Sequence, residues 1–256
     1  MATGLAAQRP RRRARWPWVV LIVVVLLAVL VVAAEIIARS IVPSTVRSLV
    51  IDELDLPADQ QLDVQASGIL LPQLIGGSLE RLDLSSDAVT IGGITGAADV
   101  TATDVPLRGG ALGSAGGTIS IDQSQFASLL ERSELPVSEI TLDEPDVTVH
   151  GGIPVFGREI ALALTLTPAA DDGDVMLTPV SAQVAGNEVD LQRLAALLGG
   201  VGEALAGPQR VCIADQLPAG ITLTGLRIEG TAVVADITAD GRIAVDETLL
   251  DPGTCP

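Results

Sequence analysis

"VCIADQLPAGITLTGLRIEGTAVVADITADG", residues 211–241, alternates apolar and polar positions: Ile221 and Leu223, then Leu226 and Ile228, then Val233, Ala235 and Ile237. A period of two is the pattern of strands with one buried face, and none of these positions is aromatic. The 256-residue chain is 48% hydrophobic but only 2% aromatic, with Trp16, Trp18, Phe126 and Phe156 as the complete set. A sheet built here packs through Leu, Val, Ile and Ala, without the large buried area that each aromatic contributes. What fills the space behind it is the question the sequence raises.

The N-terminus is built differently. Arg9, Arg11, Arg12, Arg13 and Arg15 precede Trp16 and Trp18, and an apolar run extends from Trp16 to Ala34. At ~1.5 Å per residue, a helix of this length covers a hydrocarbon core of ~30 Å. The arginines belong on the cytoplasmic side and the tryptophans in the interfacial belt, which puts the rest of the chain outside. Val32-Ala33-Ala34 also fits a loose signal-peptidase site, so a retained anchor and a cleaved signal both stand. The expected organisation is a basic cytoplasmic tail at 1–15, a transmembrane anchor or uncleaved signal at 16–37, and an extracytoplasmic domain at 38–256.

Beyond residue 35 there are ten arginines and thirty-one Asp and Glu, in a chain whose formal net charge is -17. That balance argues against nucleic acid, which rewards clustered Lys and Arg; an acidic coat keeps an exported domain soluble. Cys212 and Cys255 are the only cysteines. Both lie in the exported part, where an even pair reads as a disulfide.

Between these ends the pattern is α+β and β-rich. "VPSTVRSLVIDELDL" (42–56) reads as a helix beginning near Pro43, with Val46, Leu49, Val50 and Leu54 on one stripe. A short strand follows at Leu62, Val64 and Ala66, then "GILLPQLIGG" (68–77), a short helix or turn presenting Leu70, Leu71, Leu74 and Ile75. The next strand region shifts phase near Ser85 to Asp87 and turns at Gly92-Gly93. "RGGALGSAGG" (108–117) reads as a flexible loop, since a phosphate cradle wants a helix start and usually a lysine, and there is no lysine in the chain. Asp122, with Gln125 three residues on, caps a helix burying Phe126, Leu129 and Leu130. The second half shows strands near Ile140, Val147 to Val149, Ile160 to Leu166 and Val175 to Val184, with the turn "DDGD" at 171–174. Asp190 caps a helix carrying Leu194, Leu197, Leu198, Val201 and Leu205.

The inventory for catalysis is poor. His150 is the single histidine, and there is neither lysine nor tyrosine, which removes Schiff-base chemistry, Ser-Lys dyads and Walker-type phosphate binding. His150 precedes Gly151-Gly152 and reads as a strand-end or turn residue; no GxSxG elbow accompanies it. "DDGD" lacks the DxDxDG register of a calcium loop. The expectation is a protein that is not an enzyme, with no cofactor and no metal.

"GILLPQLIGGSLERLDLSSDAVTIGG" (68–93), "TPAADDGDVMLTPVSAQVAGNEVDL" (167–191) and above all "CIADQLPAGITLTGLRIEG" (212–230) resemble the LmeA-like phospholipid-binding family of actinobacteria, over residues 38–250. The resemblance implies a curved antiparallel sheet wrapped against short helices, similar to tubular lipid-binding proteins, with an apolar cleft for phospholipid acyl chains. It implies an accessory role in cell-envelope lipid or lipoglycan biogenesis at the membrane, with an envelope glycosyltransferase as a partner. On this reading the groove is lined by Leu70, Leu71, Leu74, Ile75, Leu194, Leu197, Leu198 and Val201. The alternative is a structural or interaction domain that docks an envelope enzyme through a sheet edge or its acidic face, with no lipid inside.

Overall fold

The computed structural model describes residues 16–53, 61–91, 94–126, 137–155, 158–199 and 206–255. It opens with one 38-residue helix, α1 (Trp16–Glu53), about 57 Å long at helical rise and far longer than a ~30 Å hydrocarbon core requires. Every side chain from Val20 to Ala33 is exposed, and burial begins at Ala34 and Glu35. It recurs at Ala38, Val42 and Val46, the i, i+4 spacing of one helical face.

A helix start near Pro43 is not what the structure shows, because Pro43 sits inside α1. Proline withdraws one N–H from the helical ladder. Around it, the hydroxyls of Ser40, Ser44 and Thr45 donate to the carbonyls of Ile37 and Ile41 at 2.8, 2.8 and 3.0 Å and tie the adjoining turns together. The docked face also differs from the expected stripe. Val46 belongs to it but Leu49 is exposed, since the helix inherits its rotation from the apolar span instead of starting afresh. Leu54 lies outside the described residues.

Two antiparallel sheets follow, neither closed. The first has the order β1 (Asp63–Ala66), β2 (Ser78–Ile91), β3 (Ile94–Pro106), β4 (Ser114–Asp122), β12 (Ala232–Ala239) and β11 (Ile221–Glu229). The second runs β10 (Gln209–Val211), β8 (Asp174–Val184), β7 (Arg158–Asp171), β6 (Asp146–Val155) and β5 (Val137–Asp143), with β9 (Asn187–Val189) also on β8. The antiparallel strands expected form two sheets, and the C-terminal hairpin returns to the first of them: β12 pairs with β4 from Ala232↔Asp122 to Ala239↔Ala115, so β4 has β3 on one side and β12 on the other, while β5 belongs to the second sheet. The phase shift expected near Ser85 to Asp87 is a register shift between Ser86 and Val89.

Gly116 and Gly117, read as loop residues, lie inside β4. A Cβ on Gly117 would sit 2.4 Å from the Asp99 carbonyl oxygen, and one on Gly116 would sit 3.0 Å from that of Ile237. Only glycine lets the three backbones come this close. The turn at 171–174 has Asp172 at φ 51° and Gly173 at φ 88°, the left-handed pair that suits a two-residue hairpin.

One core joins the helix to the first sheet. Leu70 and Leu79, each 1% exposed, pack with Ala38, Val64 and Leu82. The sheets meet where β11 lies against β7 and β5. Gln123 Oε1 accepts the Leu142 N–H at 2.9 Å and Glu144 Oε2 that of Gly230 at 3.1 Å. The chain end is tied down by the Cys212–Cys255 disulfide and by the amides of Ala219 and Gly220, which donate to Asp251 and Leu249 carbonyls at 2.8 and 2.9 Å. Asp240 caps the closing helical turn Gly241–Ala244. Hydrogen bonds from the guanidinium and the backbone N–H of Arg242 lower its pKa to about 2.

Leu79→Ala is expected to lower stability by about 2–5 kcal/mol, the range for emptying a fully buried leucine site, read from urea unfolding of the full chain. Cys212→Ser with Cys255→Ser reopens a loop with a sequence separation of 43. Chain entropy sets the expected loss at up to about 4 kcal/mol, to be read as a fall in the midpoint of the same titration.

Candidate functional site

In an antiparallel ladder, residues directly opposite each other share a face. Across the first sheet Leu84 stands opposite Val100, Val100 opposite Gly117, Gly117 opposite Ile237 and Ile237 opposite Leu223. A parallel row aligns Ala98, Ile119, Ala235 and Leu226. The reverse face is mainly polar: Thr101 donates to Asp83 at 2.7 Å and Thr118 to Asp236 at 2.8 Å, with Val234 buried among them.

The second sheet is sided the same way. Val149 pairs with Leu164 and Leu164 with Ala182, while Gly151 pairs with Leu162 and Leu162 with Val184. On its reverse face the Thr148 and Thr165 hydroxyls bond at 3.1 Å. Both apolar faces are incompletely covered. Leu223, Ile228, Leu142, Leu166 and Ala182 are buried, but Val100, Ile119, Ala235, Leu226, Val149, Leu162 and Leu164 are only half-buried. Ala98, Ala102, Ala115, Gly117 and Ala235 also keep the first face shallow in side-chain volume, which suits close approach of another apolar body.

A second apolar feature lies where α1 leaves its exposed stretch. The helix α2 (Leu70–Gly76), between β1 and β2, has no side-chain cap of its own. Glu35 of α1 supplies one from 35 residues away: its Oε1 accepts the Leu70 N–H and its Oε2 the Leu71 N–H, both at 2.9 Å, so two of the first-turn orphan donors are satisfied. Arg39 holds this carboxylate, donating from Nε at 3.0 Å, and donates from Nη2 to the Gly68 carbonyl at 3.1 Å. At the other end Gly77, at φ 84°, closes α2 with its N–H on the Gln73 carbonyl at 2.8 Å. The buried Gln73 side chain donates to Ser67 O and accepts from the Glu80 N–H, both at 2.9 Å.

Between α1 and α2 runs a cleft of about 750 Å³, walled by Val31, Val32 and Ile36 on one helix and Ile69, Leu71, Pro72 and Ile75 on the segment of the other, with Glu35 and Arg39 also lining it. Its size falls in the ~300–1,000 Å³ range of small-molecule sites.

The residues expected to line a groove are distributed as follows. Leu70, Leu71, Leu74 and Ile75 share α2 but face two ways: Leu70 and Leu74 turn into the core, whereas Leu71 and Ile75 line the cleft. Leu194, Leu197 and Leu198 lie on α3 (Leu191–Leu198), whose Asp190 cap accepts the N–H groups of Gln192 and Arg193 at 2.9 and 3.2 Å. That helix packs on β8 of the second sheet, so the two sets border different sheets. The side chains of these three leucines, and Val201 altogether, lie outside the described residues. Sequence reasoning missed Val31, Val32, Ile36 and Glu35. A signal for the last was available: a lone carboxylate closing a long apolar run is costly there unless it has a partner.

Polar groups elsewhere are engaged in structure. His150 lies within β6, which continues through Gly151-Gly152 to Val155, and its Nε2 is 3.2 Å from the Thr141 hydroxyl. Arg210 pairs with Asp171 and Asp174 beside the hairpin turn. Among the described residues no group of three or more His, Cys, Asp and Glu is placed to hold a metal ion.

The sequence profile of the LmeA-like phospholipid-binding family matches residues 33–238. No curated protein and no solved structure matches the chain. The matched stretch takes in Glu35, the docked end of α1, α2 and strands of both sheets, and it leaves out most of the apolar span.

Glu35→Ala is expected to release the Leu70 and Leu71 amides, so that hydrogen exchange quickens across α2 while β7 keeps its protection. Unchanged exchange in α2 would show that the carboxylate does not hold that helix.

Proposed function

This chain belongs to the LmeA-like phospholipid-binding family, and from that premise we propose that it is a membrane-tethered protein that shelters phospholipid acyl chains against its aliphatic sheet faces. The observation that carries this reading is the pair of half-covered faces, mainly aliphatic and backed largely by Thr and Asp on the other side. An acyl chain is the filler they suit. Burial is worth about 0.8 kcal/mol per methylene, so about twelve methylenes contribute roughly 10 kcal/mol before ordering costs.

The tether is the α1 span, apolar and exposed over a stretch long enough to cross a bilayer. The arginines before Trp16 favour a cytoplasmic N-terminus; the disulfide fits an oxidising compartment for everything after the span. The task we assign is non-enzymatic: His150 is bonded within its sheet, and holding or presenting a lipid requires no reacting group. A protein that keeps a phospholipid accessible at the outer face of a membrane serves the assembly of envelope lipids or lipoglycans, and an envelope glycosyltransferase is the class of partner that would take lipid from it.

Ile237 and Thr238 are neighbours on opposite faces of β12, so they make a paired test. In native mass spectrometry of the full chain freed from detergent micelles, the wild type is expected to retain phospholipid. Ile237→Asp should lose most of it and Thr238→Asp should keep it, with the disulfide intact in both. Equal retention by the two variants would refute the face assignment, and a wild type without lipid would favour the interaction-domain reading.

A further inference from the structure

Residues 68–78 and 105–120 contain no Asp or Glu, in a chain with thirty-one carboxylates beyond residue 35. The fold brings these two stretches together. Ser78 pairs with Pro106 at the start of the β2–β3 ladder, and the Leu107 N–H donates to the Gly77 carbonyl at 2.9 Å. The Arg108 guanidinium lies close enough that a Cβ on Gly77 would be 3.4 Å from its Nη1. The surface they make is apolar, with Ile75 80% exposed, Ile69 63% and Leu107 41%, and carboxylates meet it only at its margins, Glu80 beside Gly68 and Asp104 beside Gly113.

This patch sits at a particular height. With Trp16 and Trp18 at one interface, about twenty helical residues reach the far edge of the hydrocarbon core, which falls near Ile36. Val31, Val32 and Ile36 form one wall of the α1–α2 cleft, and α2 forms the other. The cleft therefore begins on the lipid-facing side of the span itself, and α2 stands beside α1 where it leaves the bilayer.

We propose that α2 and the loop at 107–113 form a rim seated in the leaflet from which α1 emerges, and that the α1–α2 cleft admits an acyl chain of a phospholipid of that leaflet. The proposal rests on the phospholipid-binding reading above and adds the place of uptake. The occupant is bilayer lipid because one wall of the cleft is continuous with the surface the bilayer already covers. Ile69 and Ile75 are the kind of side chain that an interfacial segment buries just below the headgroups, and Arg108 can keep its charged end at headgroup level while its stem lies on the apolar rim. Glu35, the carboxylate that lines the cleft, has its charge taken up by two backbone N–H groups and Arg39. Elsewhere, an acidic domain held against a phospholipid surface would meet it through carboxylates.

The test uses the full chain in nanodiscs of phosphatidylcholine and phosphatidylglycerol that carry a phosphatidylcholine with a diazirine at the end of one acyl chain. After photolysis, adducts are mapped by peptide mass spectrometry. Adducts are expected on α2 and on the strands of the aliphatic faces as well as on the span. Ile69→Glu with Ile75→Glu, both at exposed positions, should cut labelling of α2 and of the strands by about fivefold or more, because charge is expelled from the apolar layer, with the thermal midpoint unchanged. Leu71→Trp, which fills the cleft without adding charge, should lower strand labelling and leave labelling of the span as it was. Labelled strands with an unlabelled α2, or labelling indifferent to both variants, would overturn the port and leave phospholipid binding standing. Strands without label in the wild type would overturn both.

Discussion

A sheet with one mainly aliphatic face has to be covered, and this chain builds two such sheets with only two aromatic residues beyond residue 18 to help cover them. Everything else about the molecule follows from how that requirement is met. Near β1 and β2 it is met by protein: Ala38, Val42 and Val46 of α1 and Leu70 of α2 lie on Val64, Leu79 and Leu82. Where β11 crosses β7 it is met by the other sheet, and Leu223, Ile228, Leu142 and Leu166 are buried. Between those two closures the faces carry alanine, glycine and half-buried Val, Ile and Leu. Protein interiors are packed as densely as organic crystals, and on the reading proposed these half-covered faces take a further apolar body. Membership of a phospholipid-binding family supplies its chemistry.

The second organising feature is that the apolar helix does not end where a bilayer would. It carries on past Pro43 to Glu53 and becomes part of the domain's core, so span and domain share a single helix instead of a flexible linker. Glu35 makes this junction specific. A hydrophobic contact between α1 and α2 would tolerate sliding, whereas two hydrogen bonds from one carboxylate to consecutive amides of α2 set both its height and its rotation. That the family profile begins at residue 33, just ahead of this carboxylate, agrees with the emergent end of the helix belonging to the domain. On the reading proposed, the lipid-holding faces are then kept at a constant distance from the leaflet that supplies them.

Much of this was legible in the residues. Alternation at Ile221 to Ile237 and at Ile160 to Val184 marks strands that the fold contains, and "DDGD", Asp190 and the two cysteines do what their local chemistry predicts: a left-handed hairpin turn, a helix cap and a disulfide. These are short-range features, settled by φ preferences, side-chain reach or the absence of any other partner. The misreadings are long-range. Gly116 and Gly117 look like a loop until Asp99 and Ile237 are placed on either side of them. Pro43 looks like a helix start until the turns before it are known to be helical already.

Residue pattern alone thus determined that the domain would be β-rich, that its longer strands would alternate apolar and polar positions and that a long apolar helix would precede them, because periodicity and length are properties of the chain itself. It could not say which strands share a sheet. That rests on β12 pairing with β4 while β5 pairs with β6, a choice between pairings far apart in sequence that the local pattern does not encode. Nor could it bring Glu35 to the amides of Leu70 and Leu71, or join the two acid-free stretches through Leu107 and Gly77. Those contacts exist only once the backbone has been folded back on itself, and it is they, more than any motif, that make a site out of ordinary aliphatic residues.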